Sequence, residues 1–138
     1  MTYEEKLVWL NRYRAAYKKK QKLKDDLAEA REAAQHTTQS LSAVPGGSGD
    51  GQSIARAVER AETLQQEFNA QHELAIRIYG EILDALQDRD NISDDMDYVI
   101  LHKRYLEYMK WDKIAEDMHF SLRWVFTRHR NAVERMNL

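Results

Sequence analysis

Two long stretches of the chain place apolar residues three and four positions apart, which is the spacing of one face of an α-helix. The first stretch runs from Tyr3 to about Ala34, and the second follows Ser53, a suitable N-cap residue. The second stripe consists of Ile54, Val58, Ala61, Leu64, Phe68, Ala75, Ile78, Ile82 and Ala85, bridged by Gln71 or His72. An isolated helix would leave its apolar stripe exposed to water. The pattern therefore predicts that the two helices pack their stripes against each other as a long antiparallel hairpin.

The segment between these stretches, residues 36–52, changes composition to Thr, Ser and Gly and contains the only proline, Pro45. This composition is typical of a flexible connection, so the sequence predicts a linker within a hairpin domain that covers residues 1–90. Gly46, Gly47 and Gly49 do not indicate a phosphate-binding loop, because no predicted strand precedes them and no Lys-Ser or Lys-Thr pair follows.

A third helix is predicted after the polar break that ends this hairpin. Ser93 is a suitable N-cap residue, and the acidic pair Asp94 and Asp95 favours the positive end of a helix dipole. The apolar stripe of this helix consists of Tyr98, Leu101, Tyr105 and Tyr108. It would cover two shorter helices that follow, so residues 93–138 are predicted to form a compact three-helix unit.

The stretch Trp111–Val125 has the pattern of a helix-turn-helix motif. The apolar or small positions at which the two helices of such a motif cross are Ile114, Ala115, Met118, Phe120 and Val125, and Ser121 can cap the second helix. His119 stands at the turn position that usually takes Gly, and His tolerates a left-handed backbone better than most residues. The predicted fold class is therefore all-α, a long antiparallel helical hairpin followed by a C-terminal three-helix helix-turn-helix unit.

The second helix of this motif is predicted to have an inward and an outward face. Val125, His129, Ala132 and Met136, spaced four, three and four, form the inward stripe. The candidate DNA-binding residues are Ser121, Arg123, Trp124, Thr127, Arg128, Arg130 and Asn131, with Lys110 and Lys113 flanking the first helix. Arg and Asn side chains can bond base edges in the major groove, whereas Lys110, Lys113, Thr127 and Arg130 also suit phosphates.

The distribution of charge fits this assignment better than its total does. The formal net charge of the 138 residues is −2, and the middle of the chain, residues 37–92, carries four Lys or Arg against nine Asp or Glu. From His119 onward, four arginines face only Glu134. The excess of positive charge therefore lies on the predicted recognition helix and beyond it.

The residues offer little support for an enzyme. The chain has no Cys, which excludes thiolate metal sites, disulfides and Cys nucleophiles together. Its five His residues are scattered without a ligand spacing such as His-Glu-x-x-His, so neither a metal nor a cofactor is expected. Neither a signal peptide nor a membrane-spanning apolar run is present in the sequence, which predicts a cytoplasmic protein without membrane contact.

Three runs of the C-terminal region carry a resemblance to a known family. Tyr98-Val-Ile-Leu-His-Lys-Arg-Tyr105, Trp111-Asp-Lys-Ile-Ala-Glu-Asp-Met118 and Arg128-His-Arg-Asn-Ala-Val133, with Phe120, Ser121 and Val125, resemble phage and prophage proteins of the ArpU and RinA group. The region is more distantly similar to the sigma-factor domain that reads the upstream promoter element. This resemblance implies a regulator of late phage genes in a bacterial host, with DNA contacts on the helix that begins at Ser121.

The sequence thus favours a DNA-binding transcriptional regulator that reads double-stranded DNA, whose hairpin provides a homodimer contact or docks to another protein such as RNA polymerase. The alternative is a phage assembly or protein-interaction module without promoter recognition. A small terminase subunit, which also pairs a DNA-binding unit with oligomerising helices, is an example of that class.

Overall fold

A computed structural model describes residues 1–42 and 51–138 of the chain, with side chains described for residues 1–36 and 51–138. Its helices are α1 (Tyr3–Leu10), α2 (Arg12–Ser42), α3 (Gly51–Gln87), α4 (Asp95–Tyr105), α5 (Trp111–Met118) and α6 (Leu122–Arg135). The described residues contain no strand, which confirms the predicted all-α class. None of these helices has the length and apolar character needed to cross a bilayer.

The first predicted helix is interrupted at Asn11. Thr2 and Glu5 form a capping box that starts α1, as each side chain bonds the backbone N–H of the other residue. The Asn11 amide donates a hydrogen bond of 2.9 Å to the Leu7 carbonyl oxygen, so this side chain takes part in the backbone bonding of the last turn. The backbone at Asn11 stays right-handed, and α2 resumes at Arg12.

The predicted linker, residues 36–52, overlaps the ends of two helices. Helix α2 continues to Ser42 and α3 begins at Gly51, so both ends of the 36–52 segment are helical. Ser53 lies inside α3 and is not its N-cap residue. The prediction failed there because Thr, Ser and Gln each cost only a fraction of a kcal/mol in a helix. The Pro45–Gly49 part of the linker lies outside the described residues.

One compact unit, residues 17–74, contains parts of α2 and α3. Its buried cluster consists of Leu27, Ala30 and Leu64, with Leu23 and Ala61 packed against it. Outside this cluster, the Arg31 guanidinium donates a hydrogen bond to the Gln65 side chain. Val58, predicted to be part of the covered stripe, is exposed.

A second compact unit contains residues 1–16 and 75–138. It includes α1 and the end of α3 as well as α4, α5 and α6, so the division between units falls inside α2 and α3 rather than at the predicted position near residue 90. Leu10 of α1 and Ile82 and Leu86 of α3, which belong to this unit, are fully buried. The predicted three-helix contact is present within it, since α4, α5 and α6 all pack against one another.

Helix α4 begins later and ends earlier than its sequence pattern predicts. Its N-cap residue is Asp94, not Ser93, because the Asp94 carboxylate accepts hydrogen bonds from the backbone N–H groups of Met96 and Asp97. The helix ends at Tyr105, so Tyr108, predicted on its stripe, lies in the following connection with a positive φ of 66°.

His119 occupies the left-handed position predicted for the turn between α5 and α6, with φ 58° and ψ 38°. His119→Val is expected to lower the free energy of unfolding by about 1–2 kcal/mol, because a β-branched side chain crowds this backbone conformation. His119→Gly should be at least as stable as the parent, since glycine adopts the conformation without strain. Urea unfolding measures both variants, and equal stabilities of the Gly and Val variants would contradict the role of the backbone.

Candidate nucleic-acid interface

Helices α5 and α6 are joined by a three-residue turn whose ends are fixed by hydrogen bonds. The backbone N–H of Phe120 donates to the Ala115 carbonyl oxygen at 3.1 Å, which closes the end of α5. The Ser121 hydroxyl accepts a hydrogen bond of 3.1 Å from the backbone N–H of Trp124, so the predicted cap of α6 is confirmed. Both bonds are local, and they fix where one helix stops and the next begins.

The crossing of these helices is held by a buried apolar cluster. Ile100 of α4, Ile114 and Ala115 of α5 and Val125 of α6 are buried together, and Met118 packs against them from a partly buried position. The predicted crossing residues are therefore confirmed with one exception. Phe120 is 39% exposed and stacks on the Trp124 ring, with ring centroids 3.8 Å apart, rather than entering the core.

The inward face of α6 is the one that its spacing predicts. Val125, His129, Ala132 and Met136 are all buried, and Val133 is buried beside them. On this face the Tyr105 hydroxyl and the His129 Nε2 atom share a hydrogen bond of 2.6 Å. Burial, together with the nearby Arg104 charge, lowers the pKa of His129 to about 4, so the ring is neutral at physiological pH.

Several candidate DNA-binding side chains point away from this core. Arg123, Thr127 and Asn131 are exposed on α6, and the Thr127 hydroxyl donates to the Arg123 carbonyl oxygen at 2.9 Å. Trp124, in contrast, is half-buried against the apolar cluster. The structure thus brings Arg123, Thr127 and Asn131 to one surface, whereas Trp124 belongs mainly to the packing beneath it.

The two candidate lysines lie at the other helix of the pair. Lys110 is exposed at the N-cap position of α5, where its side chain makes no capping hydrogen bond. Lys113 is exposed too, but its ammonium group lies 3.5 Å from the Asp117 carboxylate within the same helix. Of the two, Lys110 is therefore the cation with less competition from a neighbouring carboxylate.

Arg128 is engaged within the protein rather than presented to solvent. Its guanidinium lies 2.7 Å from an Asp94 carboxylate oxygen and 2.8 Å from an Asp97 oxygen. Burial alone would lower the pKa of Arg128, but the hydrogen bond to Asp94 and the charge of Asp97 outweigh it, so the pKa rises. We therefore reassign Arg128 from a base contact to a link between α6 and the start of α4.

The acidic side of this link was not found from the sequence. The Asp97 side chain is only 5% exposed and also lies 3.4 Å from the Arg135 guanidinium. Burial raises the pKa of Asp97, whereas the hydrogen bond from Arg128 holds the pKa of exposed Asp94 below its usual range. The available signal was the acidic start of α4 at Asp94 together with an arginine, Arg128, that lies one turn from the inward-stripe residues Val125 and Ala132 of α6.

Helix α1 lies against the C-terminal half of α6. The Lys6 ammonium donates a hydrogen bond of 2.9 Å to the Glu134 carbonyl oxygen. The Arg130 guanidinium stacks over the Tyr3 ring at 5.1 Å and pairs with the Glu134 carboxylate at 3.0 Å. Arg130 is consequently less available to a ligand than Arg123, and the open part of the outward face is its N-terminal half.

Two exposed apolar residues of this open part were also not predicted from the sequence. Leu122 is 40% exposed and Phe126 is 43% exposed, one turn apart on α6. The Phe126 ring contacts the Trp111 ring edge to face, with centroids 5.2 Å apart. Both residues flank Arg123, so the surface at the start of α6 is partly apolar and partly cationic.

These features supply positioned hydrogen-bond donors, apolar side chains and positive charge on one helix. Within residues 1–36 and 51–138, no three His, Asp or Glu side chains are placed to hold a metal ion together. Comparisons with protein-family models, with curated proteins and with solved structures found no match to this chain.

Proposed function

We propose that this chain is a phage-type transcriptional regulator in the cytoplasm of a bacterial host, with α5 and α6 as a helix-turn-helix that reads double-stranded DNA. The observation that carries the proposal is the combination of a capped, left-handed turn and an open face of α6. His119 and Ser121 set the turn, while Arg123, Thr127 and Asn131 remain exposed beyond it. This is the arrangement in which a recognition helix presents its N-terminal half to the major groove.

Charge supports the same orientation. The first carboxylate of α6 is Glu134, in its last turn, so the half of the helix that would enter the groove carries Arg123 without an acidic neighbour on the helix. Lys110, at the start of α5, lies where a motif of this kind contacts the phosphate backbone. The resemblance to the ArpU and RinA group agrees with this assignment and adds the late-gene role.

The long helices α2 and α3 are proposed as a second functional part. In the unit of residues 17–74, the Leu27, Ala30 and Leu64 cluster is small, and Val58 remains exposed beyond it. Long paired helices with so small a buried cluster suit contact with a second copy of the chain or with RNA polymerase. Sedimentation of the purified protein over a range of concentrations tests the first of these contacts.

Arg123→Ala is expected to relax the base preference at one position of the bound DNA, because a lost base contact costs about 1–3 kcal/mol of discrimination. The measurement is enrichment from a random-sequence duplex library, followed by affinities for the enriched duplex and for single-base changes in it. Arg77→Ala, which removes an exposed arginine from α3, is the matched control and should leave base preference unchanged.

Lys110→Ala in the same assay is expected to weaken binding to all duplexes alike and to lower the slope of affinity against salt by about one. A parent protein that binds without preferring any sequence would reject promoter recognition and favour the assembly-module alternative. If Arg123→Ala and Lys110→Ala both behave like Arg77→Ala, the assignment of α6 as the recognition helix is wrong.

A further inference from the structure

The exposed apolar residues at the start of α6 are unusual for a surface that carries a recognition function. Leu122 and Phe126 are one turn apart, so they are neighbours on the helix, and Arg123 lies beside them. Contiguous exposed apolar side chains mark an interaction site more often than scattered ones do. A ligand that covers Leu122 and Phe126 must also accommodate the positive charge of Arg123.

The charge around this pair points to a polyanion rather than to an apolar protein surface. From Leu122 to Val133 helix α6 contains three arginines and no carboxylate. An apolar partner covering Leu122 and Phe126 would have to desolvate the Arg123 guanidinium as well, which is costly without an anion. Duplex DNA provides phosphates for the arginine and, in its major groove, one apolar group per A·T pair, the thymine C5 methyl.

We infer that Leu122 and Phe126 contact thymine methyl groups in the major groove, so that the bound site contains A·T pairs opposite the first two turns of α6. The inference rests on the proposed function and names the bases that it reads. The Phe126 ring contacts the Trp111 ring edge to face, and Phe126 is nevertheless 43% exposed.

The test replaces thymine by deoxyuridine, one position at a time, in the duplex enriched by the parent protein. This change removes a single methyl group and leaves the hydrogen-bonding edge of the base pair intact. At the contacted positions the parent should bind about fourfold more weakly, the effect of one buried methyl-sized group. Leu122→Ala or Phe126→Ala should bind the thymine and deoxyuridine duplexes with nearly equal affinity at the position that its side chain contacts.

The controls separate this contact from loss of the fold. Ile76→Ala removes an exposed apolar side chain from α3 and should keep the full fourfold effect of the parent. Thermal unfolding identifies a variant that has lost structure. Phe126→Ala gives up the contact with Trp111, whereas Leu122→Ala has no ring contact to lose, so the Leu122 variant keeps the test valid if the other unfolds.

The outcomes distinguish failure of the thymine contact from failure of the proposed DNA recognition. A parent that enriches a sequence but is indifferent to deoxyuridine at every position rejects the thymine contact and leaves the proposed function standing. A parent whose sensitivity persists in both alanine variants assigns the methyl contact to other residues and rejects the inference. A parent that enriches no sequence rejects the proposed function, and the inference falls with it.

Discussion

Arg128→Ala is expected to lower the free energy of unfolding by about 2–3 kcal/mol at neutral pH. Without Arg128, the nearly buried Asp97 carboxylate keeps only Arg135, whose guanidinium is 3.4 Å away and 70% exposed. Breaking a fully buried ion pair costs about 3–5 kcal/mol, and the 32% exposure of the Arg128 side chain reduces that value. Urea unfolding of the variant and the parent measures the difference.

The loss should depend on pH through Asp97 and Asp94, the two carboxylates that Arg128 contacts. Burial already raises the pKa of Asp97, and removal of Arg128 raises it further. A carboxyl group with a raised pKa in the folded state destabilises the fold above its unfolded pKa and ceases to do so when both states are protonated. The deficit of Arg128→Ala should therefore be largest near neutral pH and shrink as the pH falls toward about 4.

Two further variants make the result specific to Asp97. Arg123→Ala removes an exposed arginine from the same helix and should change the free energy of unfolding by less than about 0.5 kcal/mol. Asp97→Asn in the Arg128→Ala background removes the nearly buried charge that is left with Arg135 alone and should recover part of the loss. Equal stabilities of the Arg128→Ala and Arg123→Ala variants would contradict the structural role of Arg128. The difference also matters for binding assays, because loss of DNA binding by Arg128→Ala would report on the position of α6.

The stability of the protein is expected to fall by about 3 kcal/mol between pH 6.5 and pH 4 through His129 alone. Its pKa in the folded protein is about 4, below the usual value of 6.5, because the ring is buried beside Arg104 and Tyr105. The unfolded chain therefore binds a proton in this pH range and the folded chain does not. The sign follows: the contribution is complete above pH 6.5 and is lost as the pH falls.

His129→Gln isolates this contribution, because glutamine does not titrate and retains a polar group for the Tyr105 hydroxyl. Its free energy of unfolding should change less between pH 6.5 and pH 4 than that of the parent, even if the variant is less stable throughout. Parallel profiles of the parent and His129→Gln would show that another group is responsible.

Beside the buried apolar cluster, these two residues connect α6 to both ends of α4. Arg128 ties one flank of the helix to the start of α4, and His129 bonds Tyr105 near the end of α4. Neither contact uses the side chains proposed to meet DNA. The fold and the proposed recognition surface are therefore open to independent mutation, which is what the binding experiments require.

The local features of the α5–α6 region could be predicted because each depends on residues close in sequence. The Ser121 cap needs only the backbone N–H of Trp124, and the turn needs only a residue that accepts a left-handed backbone, which His119 does. The inward face of α6 follows from helical spacing alone, and Val125 and His129 are buried as that spacing requires. The same spacing puts Arg123 outside the inward stripe of α6, and Arg123 is exposed.

Features that depend on distant residues were missed or misplaced. The sequence pattern predicts Phe120 as a core residue, but its ring stacks on Trp124 and the residue stays partly exposed. The sequence pattern predicts Arg128 as a base contact, because no local pattern indicates its ion pair with Asp97, 31 residues earlier in the chain. The contact of α1 with the end of α6 joins Lys6 to Glu134, 128 residues apart, and has no sequence signal at all.

The sequence by itself determined that the chain is all-α, approximately where most of its helices lie, and which face of α6 is buried. Hydrogen bonding and apolar spacing within a few residues are sufficient for these properties. Only the tertiary structure decided which cations of α6 remain open. Arg123 and Arg128 are the same residue type on the same helix, and they differ because one faces solvent and the other reaches two carboxylates at the start of α4.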